Sequence, residues 1–256
     1  MGTLDGKVAM VTGAGQGIGR AIAEELARAG AAIAIVEINR ETGSHAAAEL
    51  ARAGAEARYY HADVARSSDV EAAIEAAAQD LGHVDILINN AGISRVGDPT
   101  HEVTDEIWND SVGVMHSGVF YCSRAVARRL IAQGRSGSIV HISSIRGFSP
   151  NPGRIAYCST KAAAIMMARV MAAEWGPYGI RVNAVAPGVQ KSPMWEDEVR
   201  RGMYDVDAYL RTIPLRRLGD PREIGRLCVF LVSEDAAYIT GACITIDGGL
   251  TTIPSG

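Results

Sequence analysis

Short apolar runs alternate along this chain with longer, Ala-rich stretches whose apolar residues recur at helical spacing. The short runs predict strands over 8–11, 32–36, 57–61, 84–88, 138–142, 180–185 and 242–246. The longer stretches predict helices over 18–28, 41–53, 70–81, 104–132, 156–175 and 221–231. Gly54 and Gly82 follow two of them as stop signals, Thr104 or Asp105 is placed to cap another, and Pro221 opens the last.

Strands that alternate with helices of this length build βαβ units and a parallel sheet. Apart from the weaker strand over 57–61, the strands are continuous apolar runs, which predicts helices on both faces. The expected fold is therefore α/β, a parallel sheet with two helical layers. No Pro-, Gly- or Ser-rich linker divides the 256 residues, so one domain over 1–256 is expected. The rhythm breaks only over about 189–217, a charged stretch with Met and aromatic residues, which reads as a substrate lid or binding loop.

Composition excludes several functions. The net charge is −4 with no Lys/Arg block, so a nucleic-acid partner is not expected. No apolar run is long enough to span a bilayer, and the first residues lack a signal-peptide pattern. Cys122, Cys158, Cys228 and Cys243 are widely spaced and the six histidines are scattered, so no metal site is read and reduced cytoplasmic thiols are expected. The 28 glycines, about 11% against a usual ~7%, show where the chemistry lies.

After the first strand comes Gly13-Ala14-Gly15-Gln16-Gly17-Ile18-Gly19. The strict G-x-G-x-x-G spacing fails, and Gly13-x-x-x-Gly17-x-Gly19 fits instead. Missing side chains let the backbone turn tightly and approach a pyrophosphate, which the following helix meets with free N–H groups. A Gly-rich turn without a ligand is the plainer alternative. Glu37 ends the second strand, eighteen residues beyond Gly19. A carboxylate there accepts hydrogen bonds from ribose hydroxyls and repels a 2′-phosphate, so NAD is expected over NADP. Arg40 stands nearby as a contrary signal.

Taken together with later motifs, the whole chain resembles the short-chain dehydrogenase/reductase family. The resemblance rests on the glycine pattern, Asp63-Val64, Asn89-Asn90-Ala91-Gly92, Ser144, Tyr157-x-x-x-Lys161, Pro187-Gly188 and Asp247-Gly248-Gly249, all in order. It implies a seven-stranded single-domain Rossmann sheet, a cytoplasmic homotetramer or homodimer, and Ser144, Tyr157 and Lys161 as the catalytic set. It also implies a cofactor site of Gly13, Gln16, Gly17, Ile18, Gly19, Glu37, Asp63, Val64, Asn90, Ala91, Gly92, Tyr157, Lys161, Pro187, Gly188 and Ser192.

Tyr157 and Lys161 are four residues apart and share one helix face. A tyrosine ordinarily titrates near ~10, and an adjacent ammonium would favour the phenolate. Tyr157 can then exchange a proton with a substrate oxygen while hydride is transferred, with Ser144 holding that oxygen. Ser143 is the competing serine, and the spacing to Tyr157 favours Ser144. One position departs from the family pattern: Met115 stands where an Asn usually supports the proton relay to Lys161. A thioether cannot donate a hydrogen bond.

The expected activity is NAD-dependent interconversion of a secondary alcohol and a ketone, on a small sugar, polyol or hydroxy acid. A 3-oxoacyl-thioester reductase is one alternative, and a dinucleotide-binding protein with weakened catalysis, because of Met115, is the other. By resemblance the substrate end takes in Ser94, Arg95, Arg146, Phe148, Arg154, Gln190, Met194 and Trp195. Arg146, Arg154 and Lys191 either bind an anionic group or are solvated loop charges.

Overall fold

Along each strand, successive side chains enter two different cores. Met10, Ala34, Leu87, Ile139 and Val182 pack on one face of the sheet, and Ala9, Val11, Ile33, Ile35, Ile86, Ile88 and Val140 on the other. This two-sided burial is why the strands read as unbroken apolar runs. In this computed structural model, which describes residues 2–94 and 97–252, the strands are β1 (Val8–Thr12), β2 (Ala32–Glu37), β3 (Ala57–His61), β4 (Ile86–Asn89), β5 (Gly137–Ile142), β6 (Ile180–Pro187) and β7 (Cys243–Ile246). They form one parallel sheet in the order β3-β2-β1-β4-β5-β6-β7, in which Met10 lies beside Ala34 and Leu87. Strand order reverses between β1 and β4, which opens a crevice at their carboxyl ends.

The helices are α1 (Gly17–Arg28), α2 (Arg40–Arg52), α3 (Ser67–Leu81), α4 (Asp105–Val112), α5 (Gly118–Ala132), α6 (Ile155–Trp175), α7 (Pro193–Arg200), α8 (Val206–Thr212) and α9 (Pro221–Val232). Asn39 caps α2, and Thr104, rather than Asp105, caps α4. Asp220 and Glu223 form a capping box on α9 with Pro221 in its first turn. No helix among the described residues is long and apolar enough to cross a membrane.

The structure corrects two sequence expectations here. The helix predicted over 104–132 is interrupted by a π-helical turn, Gly113–Ser117, which separates α4 from α5 and carries Met115 inward to 1% exposure. Such turns carry i→i+5 hydrogen bonds and occur singly inside longer helical stretches. The stretch over 189–217 is not irregular throughout, since it contains α7 and α8.

A buried polar chain joins β4, α5 and β5. His141 is fully buried, with Nδ1 3.1 Å from the Ala164 carbonyl oxygen and Nε2 3.2 Å from Ser123 Oγ. A carbonyl only accepts, so Nδ1 carries the proton and Ser123 donates to Nε2. Asn89 Nδ2 in turn donates to Ser123 Oγ at 2.9 Å. Burial pushes the imidazole down to about 4, and Lys161 acts in the same direction. The unfolded chain, titrating near ~6.5, therefore takes up this proton first as pH falls. The stabilising contribution is complete above pH ~6.5 and fades towards pH ~4, totalling about 3 kcal/mol. Denaturant unfolding at pH about 7 and about 4.5 is expected to show a steeper loss for the native protein than for His141→Gln.

Candidate active site

The crevice at the carboxyl ends of the strands is a cleft of about 390 Å³, within the range of small-molecule sites. Its first wall is the loop between β1 and α1. Gly13 and Gly17 adopt positive φ, 64° and 59°, which favours glycine. A Cβ on Gly13 would lie 2.8 Å from Ala91 Cα, and one on Gly19 would overlap Gly13 O and Asn90 Nδ2. Gln16 precedes α1 without a side-chain cap, so the first N–H groups of the helix are left to solvent or a ligand. Asn90 Nδ2 donates to the carbonyls of Thr12 and Gly13, both at 3.0 Å. Thr12 Oγ1 accepts from the amides of Asn90 and Ala91. The end of β4 thereby fixes the glycine loop.

Glu37 sits at the end of β2, with Oε2 accepting from Gly15 N and Oε1 from Asn39 N, each at 3.1 Å. Asp63 and Val64 line the cleft beyond β3, where Asp63 accepts from Ala65 N. Gln16, Ile18, Ala91, Gly92, Pro187, Gly188 and Ser192 complete this side. Backbone too close for side chains, an uncapped helix start and a carboxylate at a strand end together fit a dinucleotide.

The second wall comes from the end of β5 and the start of α6. Its two serines have separate jobs. Ser143 Oγ donates to the Lys161 carbonyl at 2.7 Å, a structural tie. Ser144 lines the cleft with Tyr157, whose phenolate its hydroxyl favours, while its Oγ accepts from Arg146 N at 3.1 Å. Lys161 Nζ donates to the Ile142 carbonyl at 2.8 Å and lies 5.6 Å from the Tyr157 ring centre.

The electrostatics add to the sequence expectation. Burial raises the Tyr157 pKa above its ordinary value, while Ser144 and the Arg154 charge lower it and Glu198 and Cys158 raise it. Arg154 is thus a further cation acting on the phenol, in addition to Lys161 beside the ring. Lys161 is itself held down to about 8 by burial.

The third wall is α7, α8 and the turn between them. Arg154 makes a two-pronged ion pair with Glu198 of α7, both bonds 3.0 Å, and donates to the Tyr204 hydroxyl at 2.7 Å. Ser94 Oγ donates to the same Glu198 at 2.8 Å. Trp195, Tyr204 and Tyr209 pack together, with ring centres 4.8 to 5.4 Å apart. Arg146, Gln190 and Met194 line the cleft as well, whereas Lys191 is exposed and not part of the lining. Phe148 is also exposed and not part of it, and Arg95 lies outside the described residues.

Sequence reasoning named Ser94, Arg154 and Trp195 but missed Glu198, Tyr204 and Tyr209. Glu198 had a readable signal: it lies three residues after Trp195, on the same face of a short amphipathic helix. The two tyrosines sit in a stretch without periodicity.

The chain belongs to the short-chain dehydrogenase/reductase family. The matching family model, described as enoyl-(acyl carrier protein) reductase, covers residues 13–251. The chain is 39% identical to the D-threitol dehydrogenase of Mycolicibacterium smegmatis, over 97% of this chain and 94% of that one. It is 38% identical to the 2,5-dichloro-2,5-cyclohexadiene-1,4-diol dehydrogenase of Sphingobium indicum, over 99% and 100%. The crystal structure of a gluconate 5-dehydrogenase from Burkholderia cenocepacia, in complex with NADP and tartrate, superposes with a TM-score of 0.92 at 36% identity. It covers 98% of this chain and 97% of that one. The protein is thus an NAD(P)-type oxidoreductase of this family, built on a Rossmann-like seven-stranded sheet.

Proposed function

We propose that the protein interconverts a secondary alcohol and a ketone on a small hydroxylated substrate, with NAD as the preferred cofactor. The observation that carries this reading is the placement of Ser144, Tyr157 and Lys161 along one cleft with the glycine loop and Glu37. A nicotinamide dinucleotide bound there supplies the hydride acceptor or donor. Tyr157 is the proton-transfer group. With its pKa raised it is a protonated phenol, the form that delivers a proton to a carbonyl oxygen. In the oxidative direction it must first lose that proton, which the Arg154 charge and the Ser144 hydrogen bond favour. Ser144 also orients the reacting oxygen and stabilises charge developing on it. Lys161 places a cation beside the phenol and, through Ile142, fixes the start of α6 against β5.

NAD preference rests on Glu37. Its carboxylate stands where a ribose 2′-oxygen would be met, and it repels a phosphate there. Glu37→Ala is expected to raise kcat/KM with NADP relative to NAD by about tenfold or more. Turnover of the native protein with NADP but not NAD would refute the preference. A cytoplasmic homo-oligomer is part of the same reading, supported by the exposed apolar residues Phe120 on α5 and Met166 and Val170 on α6.

One observation favours a second reading, a dinucleotide-binding protein with weak catalysis. The buried Met115 packs its sulfur towards Gly92 and brings no side-chain amide to a relay from Lys161. A panel of polyols, hydroxy acids and 3-oxoacyl thioesters, read by nicotinamide absorbance, separates these readings. Tight cofactor binding without turnover on any of them establishes the second.

A further inference from the structure

We infer that Glu198 sets substrate charge: by closing Arg154 into an ion pair, it makes the substrate end of the cleft a site for an uncharged polyhydroxy compound and bars a carboxylate. This inference rests on the reaction proposed above.

Arg154 stands three residues before Tyr157, and a free guanidinium there would suit a carboxylate-bearing substrate. It is not free. Both prongs of its fork are occupied by Glu198, and the two side chains are only 10% and 8% exposed. A third bond goes to Tyr204. An incoming carboxylate would have to displace Glu198, or sit beside it and meet its negative charge with little water to screen the repulsion. The two charges also oppose each other at the reacting phenol, where Arg154 favours the phenolate and Glu198 the phenol.

Among the groups left around this ion pair are the hydroxyls of Tyr204, which lines the cleft, and of Ser94, bonded to Glu198. The Tyr204 oxygen accepts from Arg154, so its own proton points elsewhere. Ser94 donates to Glu198, so its lone pairs remain. An alcohol both donates and accepts, and can satisfy each of these. The ring cluster of Trp195, Tyr204 and Tyr209 supplies apolar surface for the C–H faces of such a chain. Besides Lys161, which serves the reacting phenol, Arg146 is the other cation of the lining. It is half-buried, hydrogen-bonds the Pro150 carbonyl and stays partly in solvent, where its charge is screened.

The test uses matched polyols and aldonates of four to six carbons, beginning with threitol and threonate, assayed with NAD and NADP. The native protein is expected to favour the polyol of each pair by about tenfold or more in kcat/KM. Glu198→Gln releases Arg154 from its counter-ion and is expected to raise kcat/KM for the aldonate about tenfold, mainly through a lower KM. The double variant Arg154→Met/Glu198→Gln removes both charges and is expected to show no such gain, which separates charge from shape. An aldonate preference in the native protein overturns the inference while leaving the proposed reaction intact, even if neither variant folds. The same holds if Glu198→Gln folds and gains nothing on the aldonate. Absence of turnover on both classes overturns the reaction and the inference with it. If the native protein prefers an aldonate and Arg146→Met abolishes that preference, Arg146 is the anion site and Glu198 is not the determinant.

Discussion

Tyr157→Phe is expected to lower turnover by about three orders of magnitude while leaving cofactor affinity nearly unchanged. The substitution removes one oxygen and keeps the ring against Lys161 and within the wall formed by α6. What disappears is the oxygen that Ser144 acts on and that exchanges a proton with the substrate oxygen. Steady-state turnover, read with cofactor titration by fluorescence, checks both halves of the expectation. A tenfold loss or less would mean that water or another side chain carries the proton. A parallel fall in cofactor affinity would mean that Tyr157 serves mainly as a wall of the binding cleft.

Gly19→Ala is expected to weaken dinucleotide binding by about a hundredfold and to destabilise the fold by about 1–3 kcal/mol. The added methyl would overlap the Gly13 carbonyl and the Asn90 side-chain amide. Neither can move freely. Asn90 Nδ2 holds both the Thr12 and Gly13 carbonyls, and Gly13 N is bonded to the Val36 carbonyl at 2.8 Å. Relief must come by shifting the glycine loop, and with it the N–H groups that start α1. Calorimetric titration with NAD and a thermal melt check the two effects. Unchanged affinity with lowered stability would show that these N–H groups do not meet the ligand.

Those two variants also show which parts of the molecule could be read from the sequence. The alternation of apolar runs with amphipathic stretches gave the order of the strands and helices, because burial on both faces of a parallel sheet leaves that mark directly. Ser144, Tyr157, Lys161 and the glycines were legible because a fixed spacing within or beside one element places them, with no tertiary detail needed. The π-helical turn at Met115 was not, since a single i→i+5 turn within a long helical stretch is decided by hydrogen bonding and packing rather than by any residue type or spacing. Nor was the partner of Arg154. An ion pair between residues forty-four apart depends on how α7 returns to the sheet, and no local spacing encodes that return. The same holds for Tyr157: its proximity to Lys161 was legible, but the burial and the Arg154 charge that govern its proton were not.

The cleft is drawn from two separate parts of the chain. The dinucleotide side comes largely from residues 12–92, whose strands fill both hydrophobic cores. Much of the substrate side comes from α7, α8 and the turn between them, which pack on one another through a cluster of rings and are tied to the rest by the bonds of Arg154 to Glu198 and Tyr204 and of Ser94 to Glu198. Among these residues only Trp195 and Glu198 are deeply buried within α7, and α8 has none. Exchanges in this segment therefore remake the specificity surface while sparing the packing that folds the protein. Substrate choice and structural integrity are thus separable traits of this chain, open to change at different rates.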